Sequence, residues 1–230
     1  HQGAFICRSP DFHIGLRPVC QGIRCLQRLL AQGDDQSRSG GQQGDRGGDS
    51  DGPPEQALRA DQHQDLAATA NAGIAHRVPL PQLTDEKWDH TFDIDLKGIF
   101  RVIRPALPGM KARKKGAIVA LSSIMGVAYG WDEHVHYSAA KSGVVGLVRG
   151  LAVELARDGI RVNAVSPGPF PPASIAQTNP AFHAELCRKT PMGRIGAASE
   201  LVGPVLFLLS GASSYVTGID LPVDGGWRAW

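Results

Sequence analysis

The sequence predicts an α/β fold, a doubly wound parallel sheet with an incomplete or disordered N-terminal part. Two features of the 230-residue chain predict it. The stretch 116–168 reads as strand, helix, strand, and such βαβ units build parallel sheets. Patterned text starts only near residue 68, and what precedes it is polar and without period. The chain therefore divides into residues 1–67, an atypical segment, and residues 68–230, which carry the fold.

Each element has its own reason. GAIVALSS (Gly116 to Ser123) is a short apolar run ending in two hydroxyls, which reads as a buried strand reaching the edge of a site. Ser138 to Leu155 is a helix, with Val144, Val145, Leu147, Val148, Leu151, Ala152 and Leu155 covering much of its circumference. Asp158-Gly159 ends it, since glycine tolerates the left-handed position past a helix C-terminus. IRVNAVSPG (Ile160 to Gly168) is a second strand followed by a breaker. LVGPVLFLLSG (Leu201 to Gly211) is too short to cross a membrane and reads as a buried helix. Ahead of these, Gly33 to Gln64 holds Gly, Gln, Asp, Ser and Arg with almost no large apolar side chain. Such composition cannot bury enough surface to offset chain entropy. The one helical signal there is Gly22 to Gly33, with Ile23, Leu26, Leu29 and Leu30 on one stripe.

The chemistry concentrates in three residues. Tyr137 and Lys141 stand four apart in YSAAK, and Ser123 lies fourteen residues before the tyrosine. Residues at i and i+4 share a helix face, roughly 5–6 Å apart at Cβ. A free tyrosine loses its proton near pH ~10, and a fixed positive neighbour favours the phenolate. Bringing that value to about 7 takes roughly 4 kcal/mol. The product is a general acid or base that works near neutrality. By itself the spacing is weak, since YxxxK arises by chance in many helices. Its setting strengthens it: ligands of open α/β sheets bind beyond the carboxyl ends of the strands, where Ser123 and Pro167-Gly168 fall.

Six short pieces follow one another: ANAG (Ala70 to Gly73), FDIDLKGIF (Phe92 to Phe100), LSS, YSAAK, SPG and YVTGIDLPVDGG (Tyr215 to Gly226). In this order they resemble the short-chain dehydrogenase/reductase family over residues 68–230. The resemblance implies a Rossmann-like catalytic portion and an NAD(P)-dependent oxidoreductase that interconverts an alcohol and a carbonyl by hydride transfer. The cofactor, NAD or NADP, carries the hydride, and the protein supplies position and electrostatics. Carried over residue by residue, Tyr137 exchanges a proton with the substrate oxygen. Lys141 eases that exchange and binds the nicotinamide ribose, and Ser123 polarises the oxygen. Asn71 and Gly73 lie against the cofactor, and Pro167, Gly168 and the backbone at Phe170 border the nicotinamide. Ser123 is chosen over Ser122 because it aligns better, and alternation sends the two hydroxyls to opposite faces.

Two departures from the family pattern stand out. Asp95 occupies the position of an active-site Asn. It can still accept hydrogen bonds, but it loses the NH₂ donor and adds a negative charge. The expectation is a carboxylate that stabilises the Lys141 cation and slows the reaction; the plainer reading is that Asp95 caps a kinked helix. The second departure is the absence of the TGxxxGxG turn that seats a pyrophosphate at a helix N-terminus. Three explanations compete: a shifted reading frame up to about residue 67, a genuinely different N-terminal segment, or a divergent nucleotide half. The abrupt change of composition favours the first, and the coding DNA decides among them. The opening His1 is read as the mark of a fragment or processed product.

The remaining features set bounds. A net charge of +2 gives no nucleic-acid field, and KARKK (Lys111 to Lys115) reads as a solvated helix end. No secretory pattern or membrane span is found, and the cysteine usage makes a reducing cytoplasm the expectation. Cys7, Cys20, Cys25 and Cys187 form no CxxC pair, and no disulfide framework is expected. His134 and His136 flank the tyrosine, but too few ligands accompany them for zinc. No metal is expected, and they are placed with Trp131, Asp132 and Glu133 at the rim of the substrate cleft. That polar and aromatic loop points to a hydroxylated substrate such as a sugar acid or polyol, the branch that PGPFP and DGGWRAW resemble. Pro167 to Gly196 fills the substrate-lid position; its prolines at 167, 169, 171 and 172 oppose regular helix, and Pro172 cannot donate a hydrogen bond. The partners expected are a small alcohol or carbonyl substrate and like subunits. A homodimer or homotetramer would pack through helices near 85–113 and 137–157, the first kinked by Pro105 and Pro108. The rival reading is a non-catalytic remnant of the same fold that only oligomerises. A nucleotide-sensing regulator would need an interaction motif, and none is found.

Overall fold

The computed structural model describes residues 67–71, 73–172 and 174–229. The polar segment, the helical signal at 22–33 and Cys7, Cys20 and Cys25 lie outside them. Four strands form one parallel sheet in the order β1 (Ala67–Ala70), β2 (Gly116–Leu121), β3 (Ile160–Pro167), β4 (Asp220–Val223). Ala70 stands opposite Ala120, and Leu121 opposite Val165. The carboxyl ends of neighbouring strands thus lie side by side, as the sequence expects of Ser123 and Pro167-Gly168.

Alternation along β2 and β3 feeds two cores. Ile118, Ala120, Val162 and Ala164 pack with Ile99, Ile103, Met110, Val144, Val148 and Leu155 on one face. Val119, Leu121 and Val165 pack with Leu201, Val205 and Leu208 on the other. With both faces covered, the strands read as nearly continuous apolar runs. Each fully buried Ile, Val or Leu contributes about 2 kcal/mol. The doubly wound parallel sheet is therefore the architecture of the described residues.

The helix expected near 85–113 is a ribbon of unlike turns. It runs through α1 (Asp85–Phe92), a π-helical stretch at Asp93–Lys97, α2 (Gly98–Ile103), a tight turn at Arg104–Ala106 and α3 (Leu107–Ala112). Pro105 sits in the tightened turn and Pro108 in the first turn of α3, where a missing N–H is tolerated. The wide turn at 93–97 has no proline; it carries the buried Asp95 on the inward line that Ile99 and Ile103 continue.

After β2 come α4 (Ile124–Val127) and the long α5 (Val135–Leu155). The core-facing side of α5 is His136, Ala140, Val144, Val148, Leu151, Ala152 and Leu155. Its outer side is open: Val153 is 82% exposed, and a Cβ at Gly146 or Gly150 would meet nothing. Between β3 and β4 lie α6 (Ile175–Thr178), α7 (Pro180–Lys189) and α8 (Val202–Leu209). The prolines keep 167–172 free of helix, yet α7 corrects the expectation for the rest of that segment. Pro180 stands at its first position, and the Asn179 side chain accepts a hydrogen bond from the Phe182 N–H. At the other end of α8, the Arg161 guanidinium donates to the carbonyls of Leu208 and Ser210, satisfying acceptors the helix leaves orphaned.

Gly159 links α5 to β3 with φ 71°, and its N–H donates to the Ala156 carbonyl. An added Cβ would fall 2.1 Å from the Lys114 carbonyl oxygen. Lys111 and Lys114 both pair with Asp158 beside it, as a solvated helix end allows. Gly159→Ala combines left-handed strain with that clash and is expected to lower unfolding free energy by about 2 kcal/mol or more. A urea titration that gives the wild-type midpoint for this variant would contradict the account.

Candidate active site

The centre of the site is the side chain of Lys141, 4% exposed. It projects from α5 to the end of β2, where Nζ donates to the Leu121 carbonyl at 3.1 Å. Nζ lies 3.7 Å from Oδ2 of Asp95, itself wholly buried, and 5.6 Å from the centroid of the Tyr137 ring. The i, i+4 spacing thus brings phenol and ammonium together as expected. Gly73 closes this corner: a Cβ there would stand 3.0 Å from Nζ and 3.5 Å from Oδ2 of Asp95.

Asp95 does not spend its acceptors on its own helix. Oδ1 accepts the Ile74 N–H at 2.7 Å, tying the wide turn to the segment after β1. Oδ2 has no hydrogen-bond partner among the described residues. Burial holds the Asp95 carboxyl above the usual carboxylate range, and the Lys141 ammonium opposes that shift. Two unit charges about 4 Å apart attract by about 4 kcal/mol at an effective dielectric near 20.

The two serines have different occupations. The Ser122 hydroxyl donates to the Lys141 backbone carbonyl at 2.9 Å, fastening α5 to the end of β2. Ser123 caps α4, its oxygen accepting the Met125 N–H at 3.1 Å, and its own proton has no acceptor among the described residues. Ser122 donates its backbone N–H to the Val165 carbonyl, so the serine pair adjoins the end of β3. There Pro167 pairs with Val223, and the Gly168 N–H donates to the Val223 carbonyl. A Cβ on Gly168 would lie 2.7 Å from Cα of Asp224, so only glycine fits. The Phe170 ring packs on the second core and against Gly196. Asn71 directly follows β1, two residues before Gly73.

The start of α5 and the loop before it depart from expectation at one point. His136 is not on the rim but buried, 1% exposed, with Nδ1 unpartnered among the described residues. It lies four and eight residues before Ala140 and Val144, on the face that α5 turns to the core. Glu133, at φ 62°, accepts the Arg77 guanidinium through its carboxylate and the Val78 N–H through its carbonyl. That strap joins this loop to the segment after β1. Sequence reading also missed a ring cluster: Tyr129 meets Trp131 and Trp227 edge to face at 5.8 and 5.3 Å, and Trp131 meets Phe182 at 5.7 Å. Its members come from distant positions, and no local pattern joins them. Among the described residues no three His, Cys, Asp or Glu side chains converge as metal ligands, and no helix is long and apolar enough to cross a membrane.

A parallel sheet covered on both faces, with Lys141 at its carboxyl edge beside Tyr137, is a Rossmann-type architecture. The family model described as enoyl-(acyl carrier protein) reductase matches residues 61–228. The chain is 40% identical over 157 residues to the 3-oxoacyl-[acyl-carrier-protein] reductase FabG of Thermotoga maritima, covering 68% of this chain and 63% of that one. It is 42% identical over 161 residues to the cis-4-hydroxycyclohexanecarboxylate dehydrogenase of Sinomonas cyclohexanicum, covering 70% and 64%. The structure superposes on gluconate 5-dehydrogenase from Burkholderia cenocepacia, solved with NADP and tartrate, with TM-score 0.68 and 34% identity over 72% of this chain and 65% of that one. The chain belongs to the short-chain dehydrogenase/reductase family, and it spans less than two-thirds of the length of these curated relatives.

Burial, reinforced by the charges of His134 and His76, holds the His136 pKa below its ordinary value. The unfolded chain therefore binds a proton near pH ~6.5 that the folded chain does not. Stability is present above that pH and falls as pH drops below it. His136→Phe is expected to narrow the difference in unfolding free energy between neutral and mildly acidic buffer by on the order of 1 kcal/mol. Chemical denaturation at the two pH values measures it, and an unchanged difference would refute the assignment.

Proposed function

We propose that this chain is an NAD(P)-dependent oxidoreductase that interconverts an alcohol and a carbonyl, with Tyr137 as proton donor and acceptor. The observation that carries it is the buried Lys141 ammonium, fixed by Leu121 and Asp95 one helical turn from Tyr137. The relatives support the reaction class, since they include reductases and dehydrogenases and one is held with NADP. The described residues fit the nicotinamide side of such a cofactor. Lys141 commits one N–H to Leu121, which leaves donors for ribose hydroxyls. Gly73 and Gly168 keep side-chain bulk out of the strand ends. Asn71, Pro167 and the Phe170 backbone would complete that border. Residues 1–66, where the resemblance would expect the phosphates to be held, lie outside the described residues.

When bound, NAD or NADP supplies or accepts the hydride. In the reducing direction the Tyr137 hydroxyl gives its proton to the carbonyl oxygen as the carbon is reduced. The Ser123 hydroxyl donates to the same oxygen, and the phenolate left on Tyr137 faces the Lys141 ammonium. Ser122 acts through the backbone, holding α5 in register with β2. A remnant that only oligomerises would have no use for a desolvated ammonium placed beside a tyrosine. The same reading places the protein in the cytoplasm as a homodimer or homotetramer, acting on a small alcohol or carbonyl compound.

Tyr137→Phe should reduce turnover by roughly 10²–10⁴-fold while NADPH binding, followed by fluorescence, stays at the wild-type level. Loss of neither would refute the proton-transfer role. Asp95→Asn keeps the acceptor for the Ile74 N–H and removes the charge facing Lys141. The rate should rise, while stability falls by about 3 kcal/mol because a buried cation loses its counter-charge. An unchanged or slower rate would show that the carboxylate does not restrain Lys141.

A further inference from the structure

A cleft of about 490 Å³ is lined by Ala128, Tyr129, Arg188, Lys189, Trp227 and Arg228. Its walls come from the end of α4, the end of α7 and the turn after β4. The aromatic cluster backs it, with Ile124 and Leu186 beneath. Two paths of contact join it to the proton-transfer groups. The Tyr129 N–H donates to the carbonyl of Ile124, the residue after Ser123. The His134 N–H donates to the Trp131 carbonyl, and the His134 ring lies 6.4 Å from that of Tyr137.

Three cations line this cleft and no carboxylate does. Lys189 pairs with Glu185 at 2.8 Å and lies 5.5 Å over the Trp131 ring. Arg228 pairs at 3.0 Å with the nearly buried Asp220, whose other oxygen accepts the Ser166 hydroxyl. Those carboxylates hold the two cations in place and offset part of their charge. Arg188 makes no ion pair among the described residues; the Glu185 carboxylate feels its charge, but Lys189 occupies that group. A guanidinium with free donors beside aromatic faces is suited to a planar anion, which it grips through two parallel hydrogen bonds.

We propose that this cleft receives the body of the substrate and that the substrate is a carboxylate. A ring or short chain lies on Tyr129 and Trp227, with its carboxylate at Arg188 and Arg228 and its carbonyl toward Ser123 and Tyr137. The orientation rests on the oxidoreductase reading; the recognition of an anion by the cleft does not. The volume is that of a small-molecule site.

The test is calorimetric titration of the full chain, with NADP present, using 4-acetylbenzoate and its methyl ester. The acid is expected to bind about tenfold tighter. Arg188→Gln should diminish that preference and leave ester binding unchanged, and Arg188→Glu should weaken the acid further. Arg188 is exposed on α7, so both variants should keep the wild-type melting temperature. Equal affinity for acid and ester, no binding of the acid, or an undiminished preference in Arg188→Gln would overturn the proposal. Tyr137→Phe separates the two readings, because it should keep the preference for acid over ester while its turnover falls. An acid preference without Tyr137-dependent turnover would sink the oxidoreductase reading alone; turnover without the preference would sink the cleft alone.

Discussion

One buried ammonium organises the described part of this protein. Lys141 brings a positive charge to the carboxyl edge of a sheet whose strands are apolar on both faces. Removing such a charge from water costs several kcal/mol unless partners replace the hydration. The partners come from four elements: the Leu121 carbonyl from β2, Asp95 from the wide turn, the close approach of Gly73 after β1, and the Tyr137 ring from α5 itself. Ser122 adds a fifth tie through the Lys141 carbonyl. The charge therefore converts sheet geometry into a fixed position for a phenol. It also explains why a π-helical turn is retained at Asp93–Lys97, where it carries Asp95 with Oδ1 on Ile74 and Oδ2 toward Nζ.

Legibility followed sequence separation. The apolar runs at 116–121 and 160–165, the i, i+4 pair Tyr137 and Lys141, and the left-handed Gly159 are local signals, and each stands where local physics puts it. The resemblance placed Asp95 near Lys141, which no periodicity could have done. The wide turn was not legible, because its cause is a bond from Asp95 to a segment 21 residues away. His136 was misplaced because a histidine beside a polar loop reads as solvated, whereas its helix phase turns it inward. α7 was missed because the prolines before it dominate the reading, although Asn179-Pro180 is a sound helix start. The ring cluster around Trp131 and the strap from Arg77 to Glu133 join segments tens of residues apart, and no pattern in the sequence announces such contacts.

The electrostatic layout separates two tasks. Inside, the Lys141 ammonium and the Asp95 carboxylate face each other at 3.7 Å, so opposite charges offset one another at the carboxyl edge of the sheet. At the rim, Arg188, Lys189 and Arg228 face the cleft; Lys189 pairs with Glu185 and Arg228 with Asp220, and Arg188 makes no ion pair among the described residues. An anion bound there as proposed would be attracted by the rim, while the interior pair stays buried. On the proposed function, affinity for an anionic group and the ease of proton transfer would then vary independently, the first through Arg188 and the second through residue 95. The Asp95 carboxylate supplies a buried counter-charge to the lysine. On the proposed function the chain thereby trades reactivity of its central cation for a buried site that does not depend on a bound ligand to neutralise it.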